Sequence, residues 1–264
     1  MRRQRILSSV LKDMGSARSS NRGGTGRGVP TKLPPAAVSG PKQLTLAIAA
    51  GGFRELLPGV VHISGWLNLD DQRALVEDFR QWAAPPAGLR RPAMPTGHLM
   101  SVQSVCLGWH WRPYVYSRTA DDTDDAPVKP LPAKIATLAC AAVDAVYGPG
   151  TADAIRFKPD AAIVNLYSPD AHLGLHQDGE EPSDAPVVTI SLGDACVFRM
   201  ASVERRSGPF VDVEFRSGDL IVFGGPNRRI FHGVPKILPD TAPDGLGLPP
   251  GRLSITGRET GLDD

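Results

Sequence analysis

Cysteine is scarce in this sequence, limited to Cys106, Cys140 and Cys196. An odd, scattered set with no CxxC pair excludes a disulfide framework and a zinc ribbon, and it fits a reducing, intracellular setting. Long apolar runs are lacking too. The longest, Ala133–Tyr147, is interrupted by Lys134 and Asp144 and is too short to cross a bilayer, so the chain reads as soluble and cytoplasmic with no membrane partner. Acids are almost missing from residues 1–43, where nine Lys/Arg accompany the single Asp13; the net charge of +1 therefore hides a basic tail on a mildly acidic body. No apolar stretch with a small-residue cleavage site follows the early arginines, which argues against a secretory signal.

What is present divides the chain in two. Residues 1–43, rich in Arg, Ser, Gly and Pro, bury too little surface to offset their chain entropy and read as a disordered basic tail. A nucleic-acid-binding tail, a targeting segment, or translation begun upstream of a true start at Met14 are the alternatives. Residues 44–264 have the length of one ordinary domain. A short strand is expected at 59–63 and an amphipathic helix at 70–82, with Leu75, Val76 and Phe79 on one face. A proline-rich connection follows, then a second helix over Ala133–Tyr147 that ends before Gly148-Pro149. From Ala161 onward the sequence changes to short β-rich runs: AAIVNLYS, HLGLHQ, VVTISL, ACVFRMA, VDVEFR, LIVFGG, RIFHGV and RLSITGR. Such spacing without intervening helices predicts a mostly β, α+β fold around a double-stranded β-helix (jelly-roll) core at about 160–260.

Within those runs, His176 and Asp178 stand at i and i+2, on one face of a strand, and His232 arrives from a later strand. Two imidazoles and a carboxylate make the facial triad of non-haem iron(II) oxygenases, which leaves coordination positions for a bidentate 2-oxo acid and for O2. A bare HxD is a common chance pairing; the companion runs RSGDLIVFGG and RIFHGV give it weight. His98, His110 and His172 read as surface or packing histidines. Arg252 and Arg258 lie six residues apart on one expected strand, so both guanidinium groups point to the same side and could pair with a dicarboxylate. Asn165 and Tyr167 alternate just before the HxD pair and could add neutral hydrogen bonds to that anion. Each of the four, taken singly, is also an ordinary strand or surface polar residue.

Taken together, MPTGHLMSV, the LGW…Y.Y cluster, NLYSPDAHLGLHQDGEEP, VVTISLG, RSGDLIVFGG, RIFHGV and RLSITGR resemble the AlkB family of nucleic-acid dealkylating dioxygenases, over roughly residues 50–260. The resemblance implies iron(II) ligation by His176, Asp178 and His232. It implies 2-oxoglutarate contacts from Asn165, Tyr167, Arg252, Ser254 and Arg258, with Arg252 meeting the distal carboxylate. Ser254 departs from the usual asparagine and could replace an amide contact with a hydroxyl. An aromatic nucleotide-recognition lid is expected at about 97–125, with Trp109, Tyr114 and Tyr116 stacking on the base or touching its phosphates. Glu180, where the family usually has aspartate, would meet the base, and Arg205 would add a substrate contact. A solvated face is the alternative for Glu180, Glu181 and Arg205, and a core patch beneath a loop is the alternative for the aromatics.

The function implied is oxidative demethylation of bases of the 1-methyladenine and 3-methylcytosine type, with O2 as second co-substrate and release of formaldehyde, succinate and CO2. Alkylated single- or double-stranded DNA, with RNA as a further possibility, is the expected partner of a monomeric enzyme. The same core could instead serve RNA, a protein or a small molecule, since fold does not fix substrate. A non-catalytic nucleic-acid-binding protein using the basic tail and aromatic loop is the remaining alternative.

Overall fold

The computed structural model describes residues 52–263. The basic segment 1–43, with its expected disorder, lies outside the described residues. The described part opens with a hairpin of β1 (Phe53–Leu57) and β2 (Val60–Ile63). Helix α1 (Leu69–Ala83) begins where Asn68 accepts from the Asp71 N–H at 2.9 Å, with Asp70 and Asp71 complementing the positive end of the helix dipole. It buries Leu75, Val76, Phe79 and Trp82, the face expected from its periodicity. Strands β3 (Gln103–Leu107), β4 (His110–Arg112) and β5 (Val115–Ser117) follow. Helix α2 (Ala133–Tyr147) stops at Gly148, whose positive φ of 90° and N–H bond to the Asp144 carbonyl cap the last turn. A short α3 (Ala152–Arg156) leads into the β-rich half.

Each of the β-rich runs from Ala161 onward contains a strand: β6 (Ala161–Tyr167), β7 (Leu173–His176), β8 (Val187–Gly193), β9 (Ala195–Met200), β10 (Val211–Phe215), β11 (Leu220–Phe223), β12 (His232–Leu238) and β13 (Arg252–Arg258). They divide between a seven-stranded sheet, ordered β1-β2-β11-β8-β13-β6-β3, and a four-stranded sheet, ordered β10-β9-β12-β7, while β4 and β5 form a separate hairpin. Every strand pair is antiparallel, the double-sheet jelly roll expected.

Between the sheets, Tyr167, Val187, Ile221 and Phe223 from the larger meet Phe198, Met200, Val213 and Phe215 from the smaller. Phe198 and Phe215 pack edge to face at 5.6 Å; a side chain buried as fully as Phe215 contributes about 2 kcal/mol. Helix α2 braces the outside of the large sheet, where Ala139 and Ile135 come up against Gly257 of β13. Beyond the aromatic core, a cavity of about 770 Å³ opens between the two sheets and the β4–β5 hairpin. No helix among the described residues is long and apolar enough to cross a membrane.

Candidate active site

Strand register assembles the metal-binding constellation. In the small sheet His232 of β12 stands directly opposite His176 of β7, so a pairing between distant segments puts the two rings 4.5 Å apart. Asp178, two residues past His176, closes the triangle, with its Oδ1 3.7 Å from His176 Nε2. One donor atom from each of the three lies within 4.8 Å of the others. Gly233, next to His232, permits this approach: a Cβ there would come within 2.6 Å of the Leu173 carbonyl oxygen.

The second ring nitrogens are tied back. His176 Nδ1 meets the Gly174 carbonyl at 3.0 Å and His232 Nδ1 meets that of Ile230 at 3.1 Å. Each contact fixes Nδ1 as the donor and leaves Nε2 bare for a metal. Burial, reinforced by the neighbouring His176, pushes His232 down to about 4, so it is neutral near pH 7. Asp178 is buried, which opposes its charge, yet Arg258 and the two histidines hold its carboxyl well below the usual range. Two imidazoles and one carboxylate on one side of an ion suit a first-row divalent metal with open positions.

Deeper in the cavity Arg252 is 1% exposed, and its Nε donates to Ser191 Oγ at 2.8 Å. Both of its Nη atoms are buried without a hydrogen-bond partner among the described residues, and the guanidinium carbon lies 5.1 Å from the Tyr167 ring centre and 5.3 Å from that of Phe215. A buried guanidinium without a carboxylate is costly, and the fork it presents matches a carboxylate brought by a ligand. Asn165, Tyr167 and Ser254 line the same cavity. Ser254 Oγ is turned sideways into a hydroxyl cluster, 3.1 Å from Thr189 Oγ1, which itself lies 3.0 Å from Thr256 Oγ1.

Arg258 sits differently. It reaches the cavity wall, but its charge is already matched by Asp178 at 3.1 Å and by Glu181 in a short contact. Tyr116, from the β4–β5 hairpin, donates its hydroxyl hydrogen to the same Glu181 oxygen at 2.6 Å. Glu181, one of the acids for which a solvated face was the alternative, is instead 2% exposed and ties the hairpin to the metal-side arginine. Arg228 completes the group, donating to the backbone carbonyls of Asp178 and Ala185. Glu181 stood out only as part of the acidic pair before proline in the family-like stretch, with no role attached, and Arg228 carried no signal of its own, because such groups usually face water.

The lid residues are redistributed. Trp109, expected to stack on substrate, does not line the cavity; it is buried beneath the Arg118 guanidinium, 3.5 Å from its ring centre. The turn at Gly108, with φ of 79° and no room for a Cβ against the Asp160 carbonyl, sends the chain inward before β4 starts. Trp111 takes the cavity position, directly opposite Tyr116 in the hairpin. The Pro113-Tyr114 pair, read as a two-residue turn, would have signalled that register. Tyr114 is exposed at the tip and Glu180 is half-buried, and both line the cavity. Arg205 is exposed and does not line it, while its neighbour Arg206 lines its mouth.

A second cluster of possible donors, His110, Asp121 and Asp122, has a different meaning. Arg90 binds Asp122 at 2.7 Å and Arg112 binds Asp121 at 2.9 Å, so cations already occupy the space that a metal would need. His110 is buried and bonded to Asp122, the packing histidine expected. His98 and His172 are exposed at the cavity rim.

Comparison with known proteins agrees with this arrangement. Residues 59–258 match the family model of the 2OG-Fe(II) oxygenase superfamily. The DNA N(6)-methyladenine demethylase ALKBH1D of Arabidopsis thaliana is 35% identical over 221 residues, covering 76% of this chain and 49% of that protein. The AlkB homologue of Caulobacter vibrioides, named as an alpha-ketoglutarate-dependent dioxygenase, is 35% identical over 228 residues, covering 80% of this chain and 95% of the other. The solved structure of OsALKBH1 superposes with a TM-score of 0.70 at 32% identity, covering 78% of this chain and 100% of that one. The chain thus spans about half the length of the Arabidopsis relatives and nearly the whole of the bacterial one. With the triad, the arginine-floored cavity and these likenesses in agreement, the chain belongs to the AlkB family of iron(II)- and 2-oxoglutarate-dependent dioxygenases.

Proposed function

We propose that this protein removes alkyl groups from ring nitrogens of nucleobases, of the 1-methyladenine and 3-methylcytosine type, in DNA and also in RNA. The observation that carries the reading is the sharing of one cavity by the metal donors, the unmatched Arg252 guanidinium and the aromatic hairpin. Iron(II) held by His176, Asp178 and His232, together with 2-oxoglutarate anchored on Arg252, supplies oxidising power from O2 for inserting oxygen into a C–H bond, with succinate and CO2 as by-products. The hydroxymethyl adduct on the cationic ring nitrogen then breaks its N–C bond: the hydroxyl proton leaves to solvent, formaldehyde departs, and the electron pair returns to the nitrogen of the neutral base. That collapse requires no dedicated protein base.

The chain's own contribution is placement. The Nδ1 tethers keep both histidines in register, and Arg258 holds the Asp178 carboxylate in its ionised form. Trp111 and Tyr114 offer faces for a base turned out of its stack, worth about 1–3 kcal/mol per stacked base. A ring-alkylated base is cationic and poorly paired, so it is extruded at lower cost than its parent, and Glu180 at the cavity wall favours that cation. Arg206 at the mouth is suited to a backbone phosphate.

The test is mass spectrometry of oligomers carrying 1-methyladenine, 3-methylcytosine or N6-methyladenine, as DNA and as RNA, after incubation with Fe(II), ascorbate and 2-oxoglutarate. The expected outcome is loss of one methyl mass and release of formaldehyde from the ring-methylated bases. Turnover of N6-methyladenine alone would move the assignment to the exocyclic amine. No release from any oligomer, combined with oxidation of another class of compound, would remove nucleic acid from the reading.

A further inference from the structure

Ser104 has no place in the chemistry described so far. It lies on β3, fully buried, and its Oγ donates to Asn165 Oδ1 at 2.6 Å. The register explains the contact: Ser104, Asn165, Ser254 and Ser191 form one transverse row across β3, β6, β13 and β8, with side chains on one face of the large sheet. Asn165 and Ser254 in that row line the cavity, and Ser191 supports Arg252 from behind.

An asparagine amide can turn either way, and the two orientations have opposite meaning for an anion. If Oδ1 faced the cavity, a carbonyl dipole would oppose a carboxylate and would also attract the Tyr167 hydroxyl hydrogen. With Oδ1 accepting from Ser104, Nδ2 is directed to the other side, towards the cavity and the Tyr167 phenol. Tyr167 then keeps its own hydrogen for a ligand. Burial pushes that phenol up to about 12, so it stays neutral, while the Arg252 charge beside it pulls less strongly the other way. Arg252, with both Nη atoms unpartnered, completes a wall made only of donors.

We propose that Ser104 is a positioning residue that fixes the Asn165 amide with its N–H groups towards the cavity and thereby makes the Asn165–Tyr167–Arg252 wall selective for the carboxylate of 2-oxoglutarate. The inference rests on the reading of this cavity as the co-substrate site. Ser104 touches no substrate; it acts through Asn165, and the coupling between the two residues is therefore what must be measured.

The experiment uses protein loaded with Mn(II), which stands in for iron without turnover, and titrates 2-oxoglutarate by calorimetry. Ser104→Ala should weaken 2-oxoglutarate binding about tenfold, the equivalent of one charge-assisted hydrogen bond. Mn(II) affinity measured without co-substrate, and the melting temperature of the metal-free protein, should stay near the parent values. Asn165→Ala should weaken binding by as much or more, and adding Ser104→Ala to it should bring no further loss. Ser104→Thr, which keeps the hydroxyl, should retain most of the affinity. Unchanged binding in Ser104→Ala, or a full additional loss in the double variant, overturns the proposal while leaving the co-substrate site intact. Failure of the parent protein itself to bind 2-oxoglutarate in the presence of Mn(II) overturns the cavity reading, and the Ser104 role with it.

Discussion

Tyr114 holds a backbone conformation that side chains usually avoid. Its φ is 73°, at the position of a Pro-led turn normally given to glycine, and it is 63% exposed. Such strain costs about 1–3 kcal/mol and persists where a side chain is needed. Tyr114→Gly should therefore leave the melting temperature equal or higher while weakening binding of a methylated oligomer about tenfold, read by fluorescence anisotropy. A stabilised variant with full affinity would show that the ring has no role. Arg252 gives the complementary case. Because its charge faces only aromatic rings and no carboxylate among the described residues, Arg252→Met should raise the melting temperature of the ligand-free protein and weaken 2-oxoglutarate binding by about 100-fold or more. A destabilised variant with normal co-substrate affinity would contradict the anion-site reading. Asp178→Ala removes both a metal donor and a partner of Arg258, so turnover should vanish and stability should fall by about 1–3 kcal/mol in thermal melts. Formaldehyde production retained by that variant in metal-controlled assays would contradict the triad.

Among the elements, the β4–β5 hairpin is linked to the metal side by one chain of side-chain contacts. Its attachment to the core includes the Tyr116 hydroxyl on Glu181, and Glu181 in turn holds Arg258, which holds Asp178. Tyr116→Phe deletes the first link and keeps the ring. Amide exchange across 110–117 should accelerate, stability should fall by about 1 kcal/mol, and turnover on oligomers should drop more than 2-oxoglutarate consumption without substrate. Equal loss of both activities with unchanged exchange would place Tyr116 in packing alone. The two long helices, β2 and the strands from Ala161 onward were legible in the sequence, whereas β1, β3 and the short α3 were not. The apolar spacing of 70–82 and the interrupted run at 133–147 mark α1 and α2, and turn residues separate the β-rich runs. The hairpin was legible only as a dense aromatic patch. Which of Trp109 and Trp111 faces the cavity follows from where β4 begins after Gly108, and residue types alone leave that open.

For the molecule as a whole, buried carboxylates and His232 set the response to acid. Burial opposes the charge on Glu181 and on Asp122, but Arg258 in the first case and Arg90 in the second lower both below their ordinary values of 4.5 and 3.8. A carboxylate depressed in the folded state contributes stability that is complete above its unfolded value and disappears as pH falls through the folded one. The metal-free protein should begin to lose melting temperature as pH falls below about 6.5, where the unfolded chain protonates His232 and the folded one does not, and should lose it more steeply below about pH 4 as the carboxylates take up protons. Glu181→Gln should flatten that loss, measured by melts across the acid range. An unchanged acid profile in Glu181→Gln would mean that the network does not govern acid stability.

By itself the sequence determined the alternation of strands and helices and the residue types able to hold iron and a dicarboxylate, because periodicity and donor chemistry are local properties of a chain. Spacing alone presented Arg252 and Arg258 as equivalents, six positions apart on one strand, and the family resemblance singled out Arg252 without a physical reason. The tertiary structure supplies that reason. One guanidinium lies against Ser191 with its fork unmatched, and the other is enclosed by Asp178 and Glu181, carboxylates from a different part of the chain. Burial and counter-charge depend on which strands become neighbours, so the division of labour between two identical side chains was decided by sheet register and the packing of the hairpin above it.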